Sequence, residues 1–586
     1  MTVSSMCTPT SPESVARTPL TGRSRWGDRL VGYPGDRAET YRRSGEWTDR
    51  PLATRLQDTV ELHPERPAVV TDVAAVTYGE LGVRTDQMAV ALLDQGLAPG
   101  DPVLFQATNR LETVLVWYAC LKAGLVPVAT LAAHRGHEIG HISRVVGAVG
   151  HVVEAGLSFD LVDFARTQAQ GHPTLRTILT IGMPHGAGEV AGGGTAAVKT
   201  LGTDIAPDVA RERVVQVQAG IDPLDVCVFQ LSGGTTGVPK VIPRLHVEYW
   251  DNARLYARRL GWTADTRVAH LIPIIHNAGI SCGLHAAHSV GACLILATAD
   301  VSSAFPLMAR ERATDVLIGH GHYQAVTSPA FDEPRPYLRN VILSGAKVGS
   351  ELFDRADDGD NRWAGQLFGM SEGLFTVSPH DAPTRARLAT VGTPIAGGDE
   401  IRILEPGSET EVDDGEVGEL SCRGPYTIPG YFDAAEHNQT AFTSDGFYRT
   451  GDLATMVSIA GVRYLSIEGR IKDLINRGGE KINAEEVEQL LVAHPKVANA
   501  AVVAMPDPRL GERTCAYLVT VDGEPLAMTT IQDHLDALGV AKFKWPERLE
   551  HVRELPQTNV GKIDKKRLRA DIVGKLERSW PVRKKR

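Results

Sequence analysis

The sequence predicts an α/β protein: a large N-terminal domain of covered, largely parallel sheets plus a small β-rich subdomain, followed by a small α+β C-terminal domain. Three observations lead there. Short apolar runs alternate with helical patterns from Trp47 to about Gly220 and recur beyond, the signature of parallel strands covered on both faces. After GEVGELSCRGPYTIPGYF (415–432) the texture turns strand-rich, and near Gly469–Asp473 a smaller helix and strand pattern begins. A chain of 586 residues has room for roughly two to four such units.

Taken in order, residues 1–25 are Ser/Thr/Arg-rich and acid-poor, without the apolar stretch of a secretory signal. A transit peptide shares that composition; a disordered extension is the simpler reading. Residues 26–470 form the predicted N-terminal domain, with PLATRLQDTVELHP as a helix and PAVVTD and DPVLFQA as strands. VLVWYACLKAGLVPVA is the longest apolar run, but it contains Lys122, breaks at Pro127 and falls short of the roughly 20 residues of a membrane span. GMPHGAGEVAGGGTAA (182–197) reads as a surface loop. DVCVFQ is a buried strand running into a glycine loop, and HLIPII, GACLILA and NVILSG are further strands. In the predicted C-terminal domain, 471–578, NAEEVEQLLVAHP is a helix with Asn483 as N-cap and Glu485 and Glu486 in its first turn. Strands ANAAVVAM and RTCAYLVT follow, then the helix TTIQDHLDALG; residues 579–586 are a basic tail.

A net charge of −10 argues against nucleic acid or an anionic membrane as a partner. The seven cysteines lack paired spacing and several sit in apolar runs, as reduced core thiols of a cytoplasmic protein do.

The chemistry begins at LSGGTTGVPK (231–240). This is not G-x-x-x-x-G-K-[ST], yet its glycines let backbone N–H groups approach an anion, and Ser232, Thr235 and Thr236 add hydroxyl donors. A structural turn is the competing reading. HEIGH (137–141) matches a zinc-protease pattern, but no third ligand stands at a suitable spacing, so two surface histidines are the better reading; GHGH (319–322) is equally weak. QLFGMSEG holds a lone carboxylate, Glu372, suited to magnesium beside a triphosphate. YRTGD ends in Asp452, suited to ribose hydroxyls, and PQTNVGKIDKKRL sets Lys562 in a polar loop.

Together with AETYRRSGEW, IPIIHN, RGPYTIPGY, GFYRTGD and INRGGEKI, these segments give the chain a clear resemblance to the adenylate-forming superfamily: acyl-CoA synthetases, nonribosomal-peptide adenylation domains and firefly luciferase. Within it the chain looks most like the stand-alone aryl acid adenylating enzymes, the dihydroxybenzoate- and salicylate-AMP ligases. The likeness runs from about Trp26 to about Leu576.

The resemblance implies that Ser232, Gly233, Gly234, Thr235, Thr236, Gly237 and Lys240 embrace the β- and γ-phosphates of ATP, that Glu372 holds Mg2+ and that Asp452 binds the ribose. Gly345, Gly369, Met370, Ser371 and Arg470 would complete the ATP site. Lys562 would be the catalytic lysine, withdrawn when a mobile C-terminal domain turns about Lys472 and brings Gly478 and Gly479 to the acceptor channel. The reaction sets a carboxylate against an anionic α-phosphate. A mobile lysine between the oxyanions, with Mg2+ on the departing pyrophosphate, offsets that repulsion.

His276 would border the carboxylate, with Asn277, Ala278, Cys282, Ala346, Lys347 and Leu367 lining the aryl pocket. Catechol-activating relatives generally carry Ser at Cys282 and Val at Leu367, so this pair resembles a salicylate-type pocket. Ala278-Gly279 replaces a bulky Tyr-Pro type pair, and Gly319-His320 replaces a Pro-Pro. Either the cavity takes a larger acid, ring-substituted or bicyclic (quinoline- or quinoxaline-type), or neighbours refill it and salicylate fits. The product would be loaded onto the phosphopantetheine thiol of an aryl carrier protein in trans, in siderophore or antibiotic biosynthesis. Free coenzyme A is the alternative acceptor. A catalytically dead ligand-binding relative is the third reading, and intact Lys562, Glu372 and Asp452 count against it.

Overall fold

The computed structural model describes residues 25–182, 194–232, 239–333, 335–346, 348–477, 480–538, 540, 542–558 and 562–579. Of the segments expected to matter, residues 1–24, most of the Gly/Ala-rich loop, Gly233 to Gly237, Lys347, Gly478, Gly479 and the tail from 580 lie outside the described residues.

Among the described residues two α/β sheets build the large domain. One runs, edge to edge, Gly194–Ala197, Thr177–Ile181, Gly150–Glu154, Pro102–Gln106, Val126–Val128, Val226–Leu231 and Val241–Leu245, all parallel but for the last pair. The other orders Thr393–Pro394, Gly373–Val377, Trp363–Met370, Asn340–Ser344, Asp315–Gly319, Arg267–His270, Cys293–Leu296, Pro67–Val70 and Ala75–Thr77. It is parallel from Trp363–Met370 to Pro67–Val70 and antiparallel at both edges. Strands such as Pro102–Gln106 and Gly150–Glu154 are buried at every position, which is why they read as continuous apolar runs rather than alternating ones.

Helices cover these sheets. Tyr78–Asp94 starts at a capping box, in which Glu80 N–H donates to Thr77 Oγ1 (3.2 Å) and Thr77 N–H to the Glu80 carboxylate (2.9 Å). Leu111–Lys122, the apolar run of the sequence, is buried from Thr113 to Lys122. Lys122 is fully buried there and forms a 2.5 Å ion pair with Asp86. Among the described residues no helix is long and apolar enough to cross a membrane.

The β-rich subdomain is a four-stranded antiparallel sheet of Glu400–Leu404, Gly418–Arg423, Tyr448–Ile459 and Val462–Arg470. Beyond it, Leu474–Arg477, Glu480–Asn483, Val497–Asp507, Gly511–Thr520 and Arg548–His551 form the last sheet, packed by helices Ala484–Val492, Met528–Ala537 and Lys565–Ser579. Asn483 caps the first of these through Glu485 N–H (3.0 Å).

Open parallel sheets present their ligand sites at the carboxyl ends of their strands. At that edge of the nine-stranded sheet stand Asn277, beyond Arg267–His270; His320, beyond Asp315–Gly319; Gly345, beyond Asn340–Ser344; and Met370, at the end of Trp363–Met370. His137 and His141, by contrast, are exposed on helix Gly136–Val146. No group of three or more His, Cys, Asp or Glu among the described residues is arranged to hold a metal ion.

Candidate active site

The glycine loop is pinned at its mouth. Ser232 N–H donates to the Lys240 carbonyl and Lys240 N–H to Ser232 Oγ, each at 3.0 Å, so the antiparallel strands on either side fix where the loop starts and ends. The Lys240 ammonium lies 5.7 Å from the centre of the Tyr431 ring. The Tyr431 hydroxyl donates to Glu372 Oε1 at 2.7 Å and stands 2.8 Å from the Tyr448 hydroxyl.

Glu372 occupies the two-residue turn Ser371–Glu372, between Trp363–Met370 and Gly373–Val377, where the register slips at Gly369/Met370. Such bulges re-aim side chains beside functional sites. Gly369 itself lies against the Phe375 ring. Glu372 is buried, and burial raises its carboxyl pKa while the hydrogen bond from Tyr431 opposes the rise. A single buried carboxylate suits a hard cation whose remaining ligands are substrate oxygens and water, as magnesium is bound beside phosphates.

On the other side, the hairpin Tyr448–Ile459/Val462–Arg470 sets Asp452 directly across from Arg470, with Nε 2.8 Å from Oδ1. Burial raises the Asp452 pKa; Arg470, Lys562 and Lys472 pull it down. Lys562 stands in a turn closed by Thr558 N–H to the Lys562 carbonyl (2.7 Å) and Lys562 N–H to Thr558 Oγ1 (3.2 Å). Protein crowding lowers its ammonium pKa first, then repulsion from Arg470, against attraction to Asp452. The Lys562 charge reaches His276 as well: burial, then Lys562, pushes that imidazole down to about 4, so it is neutral at pH 7. His276 Nδ1 accepts from Ala278 N–H (3.3 Å), leaving Nε2 as the donor. One C-terminal lysine is thus electrostatically coupled to the expected ribose carboxylate and to the expected acid-binding histidine.

Lys472 lies in the short helix Ile471–Asp473 that leaves the hairpin, and Arg569 of helix Lys565–Ser579 pairs with Asp473 at 3.0 Å. The connection between domains is therefore held from the C-terminal side.

Asn277 is buried and reaches Met370: its Nδ2 donates to the Met370 carbonyl at 3.4 Å. Ala278 is half-buried, and Cys282 and Leu367 are buried within the hydrophobic core. Burial raises the Cys282 thiol pKa, so it behaves as a small apolar group. Gly345, at φ +100°, turns the chain beside His320, and the Tyr323 hydroxyl donates to the Ser344 and Ala346 carbonyls at 3.2 Å each. Lys347, Gly478 and Gly479 lie outside the described residues.

Sequence reasoning missed Tyr431, Tyr448, Tyr249, Gln230 and Arg244. The last is 1% exposed; it forms a 2.5 Å ion pair with Glu248 and donates to the Ser371 carbonyl at 3.2 Å. RGPYTIPGY did carry one signal, since it contains Tyr431.

Two family models match the chain: the AMP-binding enzyme over residues 56–432 and the AMP-binding enzyme C-terminal domain over 486–562. A salicylyl-CoA synthase/salicylate adenylyltransferase of Streptomyces sp is 40% identical over 94% of this chain and 98% of its own. A salicyl-AMP ligase/salicyl-S-ArCP synthetase of Mycobacterium tuberculosis is 35% identical over 92% and 93%. Among solved structures, apo MbtA of Mycobacterium smegmatis superposes with a TM-score of 0.66 at 33% identity, over 92% of this chain and 98% of that one.

Proposed function

The chain belongs to the AMP-binding enzyme family, and on that premise we propose that it converts an aryl carboxylic acid and ATP into the aryl adenylate and pyrophosphate, then passes the aryl group to a thiol. The observation that carries this reading is the electrostatic coupling of Lys562 to both Asp452 and His276. Those groups flank the α-phosphate if ribose sits at Asp452 and the acid at His276. Neutral His276 keeps its Nε2–H as a donor to the incoming carboxylate without adding a second charge to hold. The Lys562 ammonium then lies where negative charge on carboxylate and α-phosphate must be brought together, and preorganised charge of this kind supplies most of the rate enhancement in many enzymes. Ser232, Lys240 and the glycine loop hold the departing β- and γ-phosphates. Glu372, with Tyr431, would hold Mg2+, which supplies neutralisation of pyrophosphate charge when bound.

For the acceptor we favour the phosphopantetheine thiol of a separate aryl carrier protein, the kind of acceptor for which the Mycobacterium tuberculosis relative is named. Free coenzyme A is the second reading, supported by the name of the Streptomyces relative. For the acid, a salicylate-like ring is supported by buried, apolar Cys282 and Leu367; the small Ala278-Gly279 pair supports a substituted or bicyclic one. The six cysteines among the described residues are buried and unpaired, in keeping with a cytoplasmic protein.

Pyrophosphate exchange over a panel of salicylate, dihydroxybenzoate, quinoline- and quinoxaline-carboxylates, amino acids and fatty acids tests the reading. Exchange with aryl acids is expected; exchange confined to amino or fatty acids would refute it.

A further inference from the structure

His437 and Lys240 approach the same Tyr431 ring from two distant segments. The His437 imidazole lies 5.2 Å from the ring centre at a tilt of 50°, and the Lys240 ammonium lies 5.7 Å from it. Neither forms an ion pair with a described residue. The carboxylates nearby are already engaged: Glu372 by the Tyr431 hydroxyl at 2.7 Å, and Asp433 by Arg29 at 3.2 Å. Glu436, next to His437, is exposed. Burial first, and then the Lys240 ammonium, hold the His437 imidazole below its ordinary pKa. The imidazole is therefore neutral at pH 7, and a neutral imidazole still donates one N–H. The mouth of the glycine loop thus carries one cation and one further donor, with no described carboxylate to satisfy them.

The local backbone delivers His437 to that place. Phe432 N–H donates to the Val241 carbonyl at 2.9 Å, which seats the segment after Tyr431 on the strand that leaves the glycine loop. Asp433 follows at φ +52°, in the left-handed region that few residues with a Cβ enter. Its N–H donates to the Arg29 carbonyl at 2.8 Å and its carboxylate pairs with the Arg29 guanidinium, so Arg29 holds the turn through backbone and side chain alike. Helix Ala435–Ala441 then returns to Tyr431. Asn438 closes the return: Tyr431 N–H donates to its Oδ1 and its Nδ2 donates to the Tyr431 carbonyl, both at 2.9 Å. A Cβ at Gly430 would stand 3.1 Å from Asn438 Nδ2 and 2.5 Å from a Val31 methyl, so glycine makes room for the amide. His437 precedes Asn438, and this clamp sets its ring against that of Tyr431.

We propose that His437 is a further phosphate-binding residue of this protein, its imidazole N–H donating to an outer oxygen of the terminal phosphate of ATP and of the departing pyrophosphate. This rests on the reading above that the glycine loop and Lys240 hold the β- and γ-phosphates. Lys240 supplies a point charge without direction, whereas an imidazole N–H fixes one oxygen in place. The Tyr431 ring attracts the ammonium with its negative face and offers an anion nothing. A phosphate drawn to Lys240 therefore takes its remaining hydrogen bonds from groups around that ring, and His437 is one of them. The Tyr431 hydroxyl meanwhile orients Glu372, so one side chain gathers the ammonium, the added donor and the expected Mg2+ ligand. The aryl acid is expected at His276 and Asn277, on other elements, so the contact bears on the leaving group and not on the acid.

The test is the reverse half-reaction, in which an aryl adenylate and pyrophosphate give ATP, run with the adenylate of whichever acid supports exchange. It compares the wild type with His437→Ala, His437→Phe and Lys240→Ala. Phe keeps a ring against Tyr431 and removes only the N–H. Both His437 variants should raise KM for pyrophosphate by about five- to twentyfold, the loss of a charge-assisted hydrogen bond at a half-exposed site, with KM for the adenylate unchanged. A merely structural role would lower kcat or raise both KM values together. An unchanged KM for pyrophosphate in the His437 variants, beside a raised one in Lys240→Ala, overturns the proposal and leaves the phosphate reading standing. A rise in His437→Ala that His437→Phe does not share also overturns it, because ring packing alone would then be at work. If Lys240→Ala leaves KM for pyrophosphate unchanged as well, the placement of the phosphates falls and the proposal falls with it. His437 is half-buried on a short outer helix, so its variants can be checked as folded by thermal melting.

Discussion

Tyr431 offers a way to separate the hydroxyl that orients Glu372 from the ring that lies under Lys240. Tyr431→Phe removes a 2.7 Å hydrogen bond to a buried carboxylate and keeps the aromatic face 5.7 Å from the Lys240 ammonium. Hydrogen bonds to charged groups contribute about 1.5–3 kcal/mol, which corresponds to roughly one to two pK units. Tyr448, whose hydroxyl also bonds Glu372, would recover part of that, so about one unit is the expected net rise. The sign is set by the direction already present. Burial holds the Glu372 carboxyl above its ordinary value, and losing the donor lifts it further, so protonation competes with cation binding at higher pH. Pyrophosphate exchange titrated with Mg2+ from pH 6 to 9 would show it. The acid limb of the activity profile should move up by about one unit, and on the acid side of that limb half-activation should need up to about tenfold more Mg2+. Tyr431→Leu should add a KM effect on ATP through Lys240 that the Phe variant lacks. A Phe variant with the wild-type Mg2+ requirement and an unmoved acid limb would refute the assignment of Glu372 to the cation.

Three further outcomes are expected. Lys562→Ala should depress adenylation by about a hundred-fold or more, yet leave thioester formation from supplied aryl adenylate near wild type; equal loss of both half-reactions would sink its assigned role. Arg244→Met strands the Glu248 carboxylate in the core, and breaking a buried pair costs about 3–5 kcal/mol, so thermal unfolding should shift down by several degrees, with Arg244→Met/Glu248→Gln recovering much of the loss. Burial raises Asp399 to about 8, and Oδ1 has no partner among the described residues. Its folded pKa exceeds the unfolded value near 4, so its contribution to stability is full below pH 4 and is lost as pH rises through 8. Asp399→Asn should therefore melt higher than the wild type at pH 8.5 and gain less at pH 5; the same difference at both pH values would exclude this titration.

Much of the scaffold was legible in the sequence because its signals are local. Continuous apolar runs such as DVCVFQ could belong only to covered strands, and Asn483 with Glu485 announced a helix start that the Asn483 cap bears out. What escaped is long-range. Tyr249 and Asn277 are 28 residues apart and Asn277 and Met370 93 apart, and nothing in one segment names its partner in the other. Arg244 and Glu248 stand four residues apart, a spacing that solvated pairs use as well, and the sequence does not show that both are buried. Lys122 misleads in the same way. A charge within an apolar run suggests an edge or a break, and here it is a buried pair with Asp86. Burial of polar atoms depends on tertiary contacts that pattern alone does not carry.

The polar groups of the site fall into two systems with different physics, and that division bears on how one site serves two half-reactions. Gln230, Tyr249, Asn277 and Met370 form a neutral chain that is buried and rooted entirely in the large domain. It gains its rigidity from the cost of leaving any buried member unpaired. Asp452, Arg470, Lys472 and Lys562 form a charged set on the hairpin end, the short connecting helix and the C-terminal loop. Lys562 acts on Asp452 and His276 through the field, while no direct salt bridge to it is formed among the described residues. A lysine clamped by a short buried ion pair would leave an uncompensated carboxylate behind on moving, at a cost of several kcal/mol. Asp452 has Arg470 as its own partner at 2.8 Å on the same hairpin, and that pair does not involve Lys562. On the roles proposed for Asn277 and Lys562, recognition of the acid would stay fixed while the charge assigned to adenylation leaves, which is the separation a reaction in two steps requires.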